Sequence, residues 1–203
     1  MQSWDLDRKI QVTTARIMEW YEHYNGLVYV AFSGGKDSTV LLDLVRRIYP
    51  DVPAVFCDTG LEFPEIRQFA MSVNNVVVLR PEMNFKKVIE TYGYPIVSKR
   101  VADTVEYGHK PGSFRWKELH GEIIRSNGTK SEFNCEKWCY LLDAPFKVSS
   151  RCCNIMKKKP MKKYSKETGR VPIIATMADE SRSRRSVWMS TGCNAFQKKS
   201  PSS

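Results

Sequence analysis

The sequence predicts an α/β protein, a parallel twisted sheet flanked by helices, with an irregular, basic, cysteine-containing second half. Three observations carry this expectation. Short apolar runs rich in β-branched residues alternate with stretches whose apolar residues recur at helical spacing. A loop crowded with glycines and hydrogen-bond donors, Ser33-Gly34-Gly35-Lys36-Asp37-Ser38, joins the first apolar run to the helix after it. A further apolar run returns late, at residues 171–176, after a long irregular stretch.

The elements follow in order. Residues 6–24 space Ile10, Ile17, Trp20, Tyr21 and Tyr24 on a helical face, closed by Asn25-Gly26, a helix stop. Residues 27–32 form a short β-rich run suited to a buried parallel strand. Residues 39–49 gather Val40, Leu41, Leu44, Val45 and Ile48 on one face, with Pro50 and Pro53 beyond it, and predict a helix. Residues 54–57 read as a second strand. Residues 64–73 read as a helix opening at a proline, and residues 75–79 as a third strand. A helix is expected over 84–92, mixed helices and loops over 98–170, a strand over 171–176 and a helix over 179–189. Such β-α-β-α-β order implies a ligand crevice at the carboxyl ends of the strands. We therefore expect a nucleotide-binding half at residues 1–97, and a basic half at 98–203 that completes the same α/β domain.

Composition narrows the function classes. The chain has 203 residues, 42% hydrophobic and 27% charged, with 11 Gly and 10 Pro, which suits a globular domain with a sizeable core. Its longest apolar runs fall well short of the roughly 20 residues a membrane span needs. Residues 1–5 show neither a basic nor an apolar leader segment, so a cytoplasmic location is expected. The formal net charge of +10 is unevenly placed. Residues 1–100 hold 12 Lys/Arg and 12 Asp/Glu, whereas residues 101–203 hold 20 and 10. A basic second half suits an anionic partner, either nucleic acid or a nucleotide, and equally a solvated lysine-rich surface. Six cysteines in such a chain point to metal ligation, sulfur chemistry or plain burial rather than to disulfides.

The glycine loop is the most informative segment. Two adjacent glycines let backbone N–H groups turn inward, the helix after them presents its positive end, and Ser33, Lys36 and Ser38 add donors around one anion. It is not a Walker loop, because the four-residue gap and the Gly-Lys-Ser/Thr ending are absent. Asp58, at the end of the second strand, either faces the same crevice to reach ribose or metal or caps the turn with Thr59-Gly60.

Ser33-Gly34-Gly35-Lys36-Asp37-Ser38 resembles the signature of the PP-loop ATP pyrophosphatases. Within that superfamily, Phe56-Cys57-Asp58-Thr59-Gly60-Leu61-Glu62-Phe63 resembles the phosphoadenosine phosphosulfate (PAPS) reductase family. So do Cys152-Cys153-Asn154-Ile155-Met156-Lys157-Lys158-Lys159-Pro160 and the Glu-Ser-x-x-Arg element that runs from Ala178 to Arg185. The resemblance covers residues 25–200. It implies an enzyme that binds ATP with Mg²⁺ and cleaves it to AMP and pyrophosphate, adenylating an acceptor in sulfur transfer or sulfate assimilation. An intact loop favours ATP over a sulfonucleotide, and the Glu-Cys-Gly-like segment of the reductases is absent from this sequence. The alternatives are a sulfonucleotide (APS/PAPS) reductase and, from another class, a non-catalytic nucleic-acid-binding PP-loop protein.

The resemblance also distributes roles. Ser33, Gly34, Gly35, Lys36, Asp37, Ser38 and Asp58 would bind the nucleotide, with Lys36, Asp37, Arg182 and Cys153 acting in catalysis. Arg185 and the lysines at 157–159 would neutralise phosphate or acceptor oxygens. Cys135, Cys139, Cys153 and Cys193 are the expected ligands of a 4Fe–4S cluster, with Cys152 as a spare. Cys152 or Cys153, beside basic residues, is alternatively a persulfide-carrying nucleophile that meets a sulfur-donor protein. Cys57 reads as core, and His23, His109 and His120 as structural or exposed.

Overall fold

The computed structural model describes residues 3–176, 180, 182–194 and 196, without the side chains of 182 and 183. It divides into two compact units. The first comprises Met1–Asp58, Glu62–Leu79 and Met161–Ser203, and the second Thr59–Leu61 and Arg80–Pro160.

The first unit is built on a four-stranded sheet. Helix α1 (Leu6–His23) leads into β1 (Val28–Phe32), followed by α2 (Lys36–Ile48), β2 (Ala54–Cys57), α3 (Pro64–Ser72) and β3 (Val76–Leu79). The chain returns to this unit within α7 (Lys159–Thr168) and adds β4 (Val171–Ile173) and α8 (Arg182–Thr191). All pairings are parallel, in the order β3-β2-β1-β4. The continuous apolar run of β1 is explained by its central place, because Val28, Tyr29, Val30 and Phe32 are each at most 3% exposed. Leu41, Leu42, Leu44 and Val45 of α2 and Ile17 of α1 close over the sheet. Each such side chain contributes roughly 1.5–3 kcal/mol by leaving water.

The start of α2 and the end of β4 differ from the sequence expectation for physical reasons. Helix α2 begins at Lys36 rather than Thr39, because the first turn is made of the polar loop residues themselves, and apolar periodicity is silent there. Strand β4 stops at Ile173 rather than Thr176, its register with β1 covering only Val28 to Val30. Pro172 is tolerated because β4 is an edge strand among the described residues, with no second neighbour there to demand its missing N–H. This short edge is stitched down by side chains. Arg170 donates to the Val28 carbonyl at 2.9 Å. The buried Tyr29 hydroxyl meets Ser165 Oγ of α7 at 3.1 Å, and its ring packs edge-on against Tyr164.

The second unit holds α4 (Phe85–Tyr92), α5 (Lys99–Tyr107), α6 (Phe114–Leu119), a 3₁₀ helix (Glu136–Asp143) and a π-helical turn (Asn154–Lys158) running into α7. Helix α4 belongs here because Val88 packs with Ile155 and Met156, so the break between units falls at residues 79/80 instead of 97/98. A larger cluster joins Val101, Ala102 and Val105 of α5 to Leu119, Cys135, Leu141 and Val148.

At the centre of this unit sits a carboxylate that is 1% exposed, Glu118. It accepts from Thr104 Oγ1 at 3.0 Å and Arg115 Nη1 at 2.8 Å, and pairs with Arg100. A buried charge is tolerable only when so partnered. Replacing Glu118 by Ala removes the shared carboxylate partner of Arg100, Arg115 and the buried Thr104 hydroxyl, although Arg115 keeps Asp103 and Arg100 the Phe133 carbonyl, and should destabilise this unit by about 3 kcal/mol. Denaturant unfolding of the variant against the parent protein measures that loss.

Candidate functional site

The chain leaves β1 at Phe32 and turns through Ser33 and Gly34 into α2. Gly34 makes the turn at φ +73°, and a Cβ there would lie 2.8 Å from Ile66 Cγ2 of α3, so neither the conformation nor the space admits a side chain. Gly35 is the N-cap of α2 and supplies no side-chain cap. A small hydrogen-bonded knot holds the turn. Ser38 Oγ accepts from the Ser33 amide at 3.2 Å, meets Ser33 Oγ at 3.0 Å and reaches the Gly35 carbonyl at 2.9 Å. Thr39 Oγ1 donates to that same carbonyl at 2.9 Å. Ser38 is therefore buried and structural, while Lys36 and Asp37 stand exposed on the first turn.

This geometry leaves the first-turn amides of a 13-residue helix without a side-chain cap, at its electropositive end. They face a crevice of about 230 Å³. Ala31 of β1 forms its floor, Ser33, Gly35, Lys36, Asp37 and Ser38 one wall, and Ile174 and Ala175, just beyond β4, the other. The strand order explains its position. From β1 the chain proceeds to β2 and β3 on one side, and β4 joins later on the other, so the strand ends of β1 and β4 form the switch point where α/β sheets bind ligands. Small beside most ligand pockets, the crevice suits the phosphate end of a nucleotide. Ile174 and Ala175 were missed as wall residues because they lie where the sequence pattern reads as continuing strand.

The remaining expected residues are placed as follows. Asp58 ends β2 with only 6% of its side chain exposed, and its Oδ2 accepts from Arg67 Nε of α3 at 3.0 Å. It is not among the crevice-lining residues. Arg182 opens α8, and its side chain lies outside what the structure describes. Ala178, Asp179 and Ser181 of the Glu-Ser-x-x-Arg stretch lie outside the described residues, and Arg184 pairs with Glu180. Cys152 and Cys153 form the half-buried turn before the π-helix, Cys152 packing against the Val88 cluster.

The cysteines do not fit the expected cluster. Among the described residues no three His, Cys, Asp or Glu side chains are grouped as a metal ion would need. Cys135 is buried, its thiol donates to the Phe133 carbonyl, and burial pushes its pKa up, the opposite of what a thiolate ligand requires. Cys139 lies beside His120, and Cys193 is exposed with its sulfur accepting from Trp188 Nε1 at 3.4 Å. For Mg²⁺ the donor set is consistent. Asp37 on the crevice wall is a single hard carboxylate, and Mg²⁺ takes one or two carboxylates alongside phosphate oxygens and water.

Residues 27–106 match the model of the phosphoadenosine phosphosulfate reductase domain. An uncharacterized protein of Methanocaldococcus jannaschii is 32% identical over 105 residues, which is 49% of this chain and 25% of that protein. An adenosine 5'-phosphosulfate reductase of Halalkalibacterium halodurans is 30% identical over 84 residues, covering 38% of this chain and 36% of the enzyme. A phosphoadenosine 5'-phosphosulfate reductase of Serratia proteamaculans is 45% identical over 53 residues, 26% of this chain and 22% of the enzyme. The chain thus spans about a third or less of the length of these relatives. The matched stretch contains β1 to β3 and the whole glycine loop. Residues 27–106 of this chain belong to the phosphoadenosine phosphosulfate reductase domain family, on a PP-loop α/β sheet.

Proposed function

We propose that the crevice at the start of α2 binds the phosphate end of an adenine nucleotide, and that the protein is an enzyme of sulfur metabolism working at that end. The observation that carries this is the uncapped first turn of α2, opening with Lys36 and Asp37 on a crevice at the switch point of the sheet. The amides of the first turn hold anionic oxygens without reorganising, and Lys36 adds a mobile positive charge. Asp37 would carry Mg²⁺ through water, and the ion, when bound, would neutralise oxygens on adjacent phosphates. With ATP as substrate, loop and Lys36 stabilise the departing pyrophosphate as an acceptor oxygen attacks the α-phosphorus. The intact Ser-Gly-Gly-Lys-Asp-Ser loop supports ATP, and the names of the two reductases support an adenylylated sulfate in the same place.

One experiment separates these. Calorimetric titration with ATP and with adenosine 5'-phosphosulfate, followed by assays for pyrophosphate and for thiol-dependent sulfite, identifies nucleotide and product. Lys36 is exposed, so Lys36→Ala should keep the fold and weaken binding about tenfold or more, the worth of a charged hydrogen bond. Gly34→Ala should lose binding together with thermal stability, through strain against Ile66. Binding of neither nucleotide, or unchanged binding in Lys36→Ala, sinks the proposal.

A second reading, nucleic-acid binding, is favoured by α7. Its exposed Lys162, Lys163 and Lys166 fall at i, i+1 and i+4 within one stripe of the helix, opposite the partly buried Met161, Tyr164 and Ser165. Like charges so spaced repel and destabilise the helix slightly, and a phosphate backbone would remove that cost. Under this reading, replacing all three lysines by Ala should lower the salt-dependence slope of oligonucleotide binding by about 2–3. Lys36→Ala should leave that binding unchanged. A fluorescence-anisotropy titration in rising salt measures the slope, and a slope unchanged by the triple replacement removes the reading.

A further inference from the structure

The second unit brings together two side chains that the nucleotide chemistry does not use. Cys139 Sγ, on the 3₁₀ helix, lies 3.7 Å from His120 Nε2, at the C-terminal end of α6. The other ring nitrogen, His120 Nδ1, lies 2.8 Å from the Trp116 carbonyl oxygen. A carbonyl can only accept, so Nδ1 must carry the proton, and in the neutral ring Nε2 is then left with its lone pair toward the thiol. The tautomer is thus set by the backbone, and the hydrogen bond runs from Cys139 Sγ–H to His120 Nε2.

Three further features hold the base in place beside the thiol. The Trp116 ring stacks on the imidazole, with centroids 4.0 Å apart and planes at 21°, which fixes its plane. His120 is the C-cap of α6, and its backbone N–H donates to the Trp116 carbonyl at 2.9 Å. Its neighbour Leu119 is fully buried, and Glu118, one residue further back, is tied to two arginines, so the backbone that carries the base is fixed. Cys139 itself is half-buried and His120 exposed, so a small reagent can reach the sulfur. The arrangement has a nucleophile, a base within reach, and a group that orients the base. Cys135, four residues away in sequence, has none of this. Its thiol is buried and donates to a carbonyl that cannot take the proton.

We propose that Cys139, with His120 as its base, is a nucleophilic thiol that takes up electrophilic sulfur, the sulfane sulfur of a persulfide or polysulfide. In the step, His120 Nε2 accepts the thiol proton and Cys139 Sγ attacks the outer sulfur of R–S–SH. A new S–S bond forms at Cys139 as the old one breaks, and R–S⁻ departs and takes the proton from His120 Nε2. The products are Cys139–S–SH and R–SH. One sulfur atom has moved with its oxidation state, so no outside oxidant or reductant is needed. Its residues belong to the second unit and those of the α2 crevice to the first, and its test does not depend on nucleotide.

The test uses the whole chain, reduced and then exposed briefly to inorganic polysulfide or to 4,4'-dithiodipyridine at neutral pH, with each cysteine followed by peptide mass spectrometry. Cys139 should gain one sulfur atom from polysulfide, and should react with the disulfide at least about tenfold faster than Cys152 or Cys153. His120→Ala and His120→Gln should both slow Cys139 by about tenfold or more and shift its rate–pH profile to higher pH, with Cys152 and Cys153 unchanged. Those two thiols act as the folding control, because an unfolded variant would speed all of them together. Should His120→Ala unfold the chain, the rate–pH profile of the intact protein decides. A Cys139 rate no faster than that of Cys152 and Cys153, or one indifferent to His120→Gln in a folded protein, overturns the proposal.

Discussion

Everything in the sheet-bearing unit is arranged around a close approach: at Gly34 the chain must pass so near Ile66 that no Cβ fits, in a conformation that only glycine adopts easily. That passage lets α2 start at the strand end of β1 with its first-turn amides uncapped. The hydroxyls of Ser33, Ser38 and Thr39 then fold back on the loop and the Gly35 carbonyl, so they rigidify the turn and leave the amides themselves for a ligand. A serine that capped the helix in the usual way would have occupied those donors. Of the two charged residues exposed on this turn, the cation is suited to an anionic oxygen and the carboxylate to a metal ion, a division of labour that follows from charge alone.

How much of this could be read from the sequence depended on whether the signal was local. Strand β2 was legible to the residue, and β1, α1 and α3 to within a residue, because the strands are continuous apolar runs, α1 carries apolar residues at helical spacing, and each element has Asn-Gly or a proline at one boundary. The start of α2 was not, since Lys36, Asp37 and Ser38 carry no apolar periodicity and their helicity follows from the loop that precedes them. The loop was legible as a glycine turn opening a helix, and it forms one wall of the crevice, yet the opposite wall was hidden. Ile174 and Ala175 look like more strand, and only the three-residue register of β4 shows that the sheet opens there. Asp58 shows a different limit. Its place at a strand end was readable, while its partner, Arg67, sits nine residues on and has no motif of its own.

The second unit was the least legible, and the reason is the same. Its organising group, Glu118, is one acidic residue in a short helix, and nothing in its neighbourhood marks it as buried. The cysteines were read together as a ligand set because the family resemblance implied one. Their surroundings divide them instead: Cys135 faces a carbonyl in the core, Cys139 a histidine base, and Cys193 an indole N–H. A thiol's chemistry depends on what can take or hold its proton. Spacing along the chain carries no such information, whereas a base four residues from the carbonyl that orients it, as His120 is from Trp116, is a pattern of helix geometry.

The late return of the chain has a thermodynamic side. The wall formed by Ile174 and Ala175 exists only once β4 pairs with β1, and the contacts that secure it, Arg170 to Val28 and Tyr29 to Ser165, span 142 and 136 residues. Closing a flexible loop of that length costs about 4 kcal/mol beyond a constant term. Three strand residues, one of them a proline without an N–H, contribute little against that cost. The side-chain stitching by Arg170, Tyr164 and Ser165 therefore matters more here than at β2 or β3, which pair with neighbours close in sequence. An intervening segment that folds on its own clusters reduces the entropy still to be lost when the loop closes. The crevice depends on this balance. One wall is local and glycine-determined, the other is borrowed from far along the chain, and a ligand that touches both would stabilise the long-range pairing by mass action.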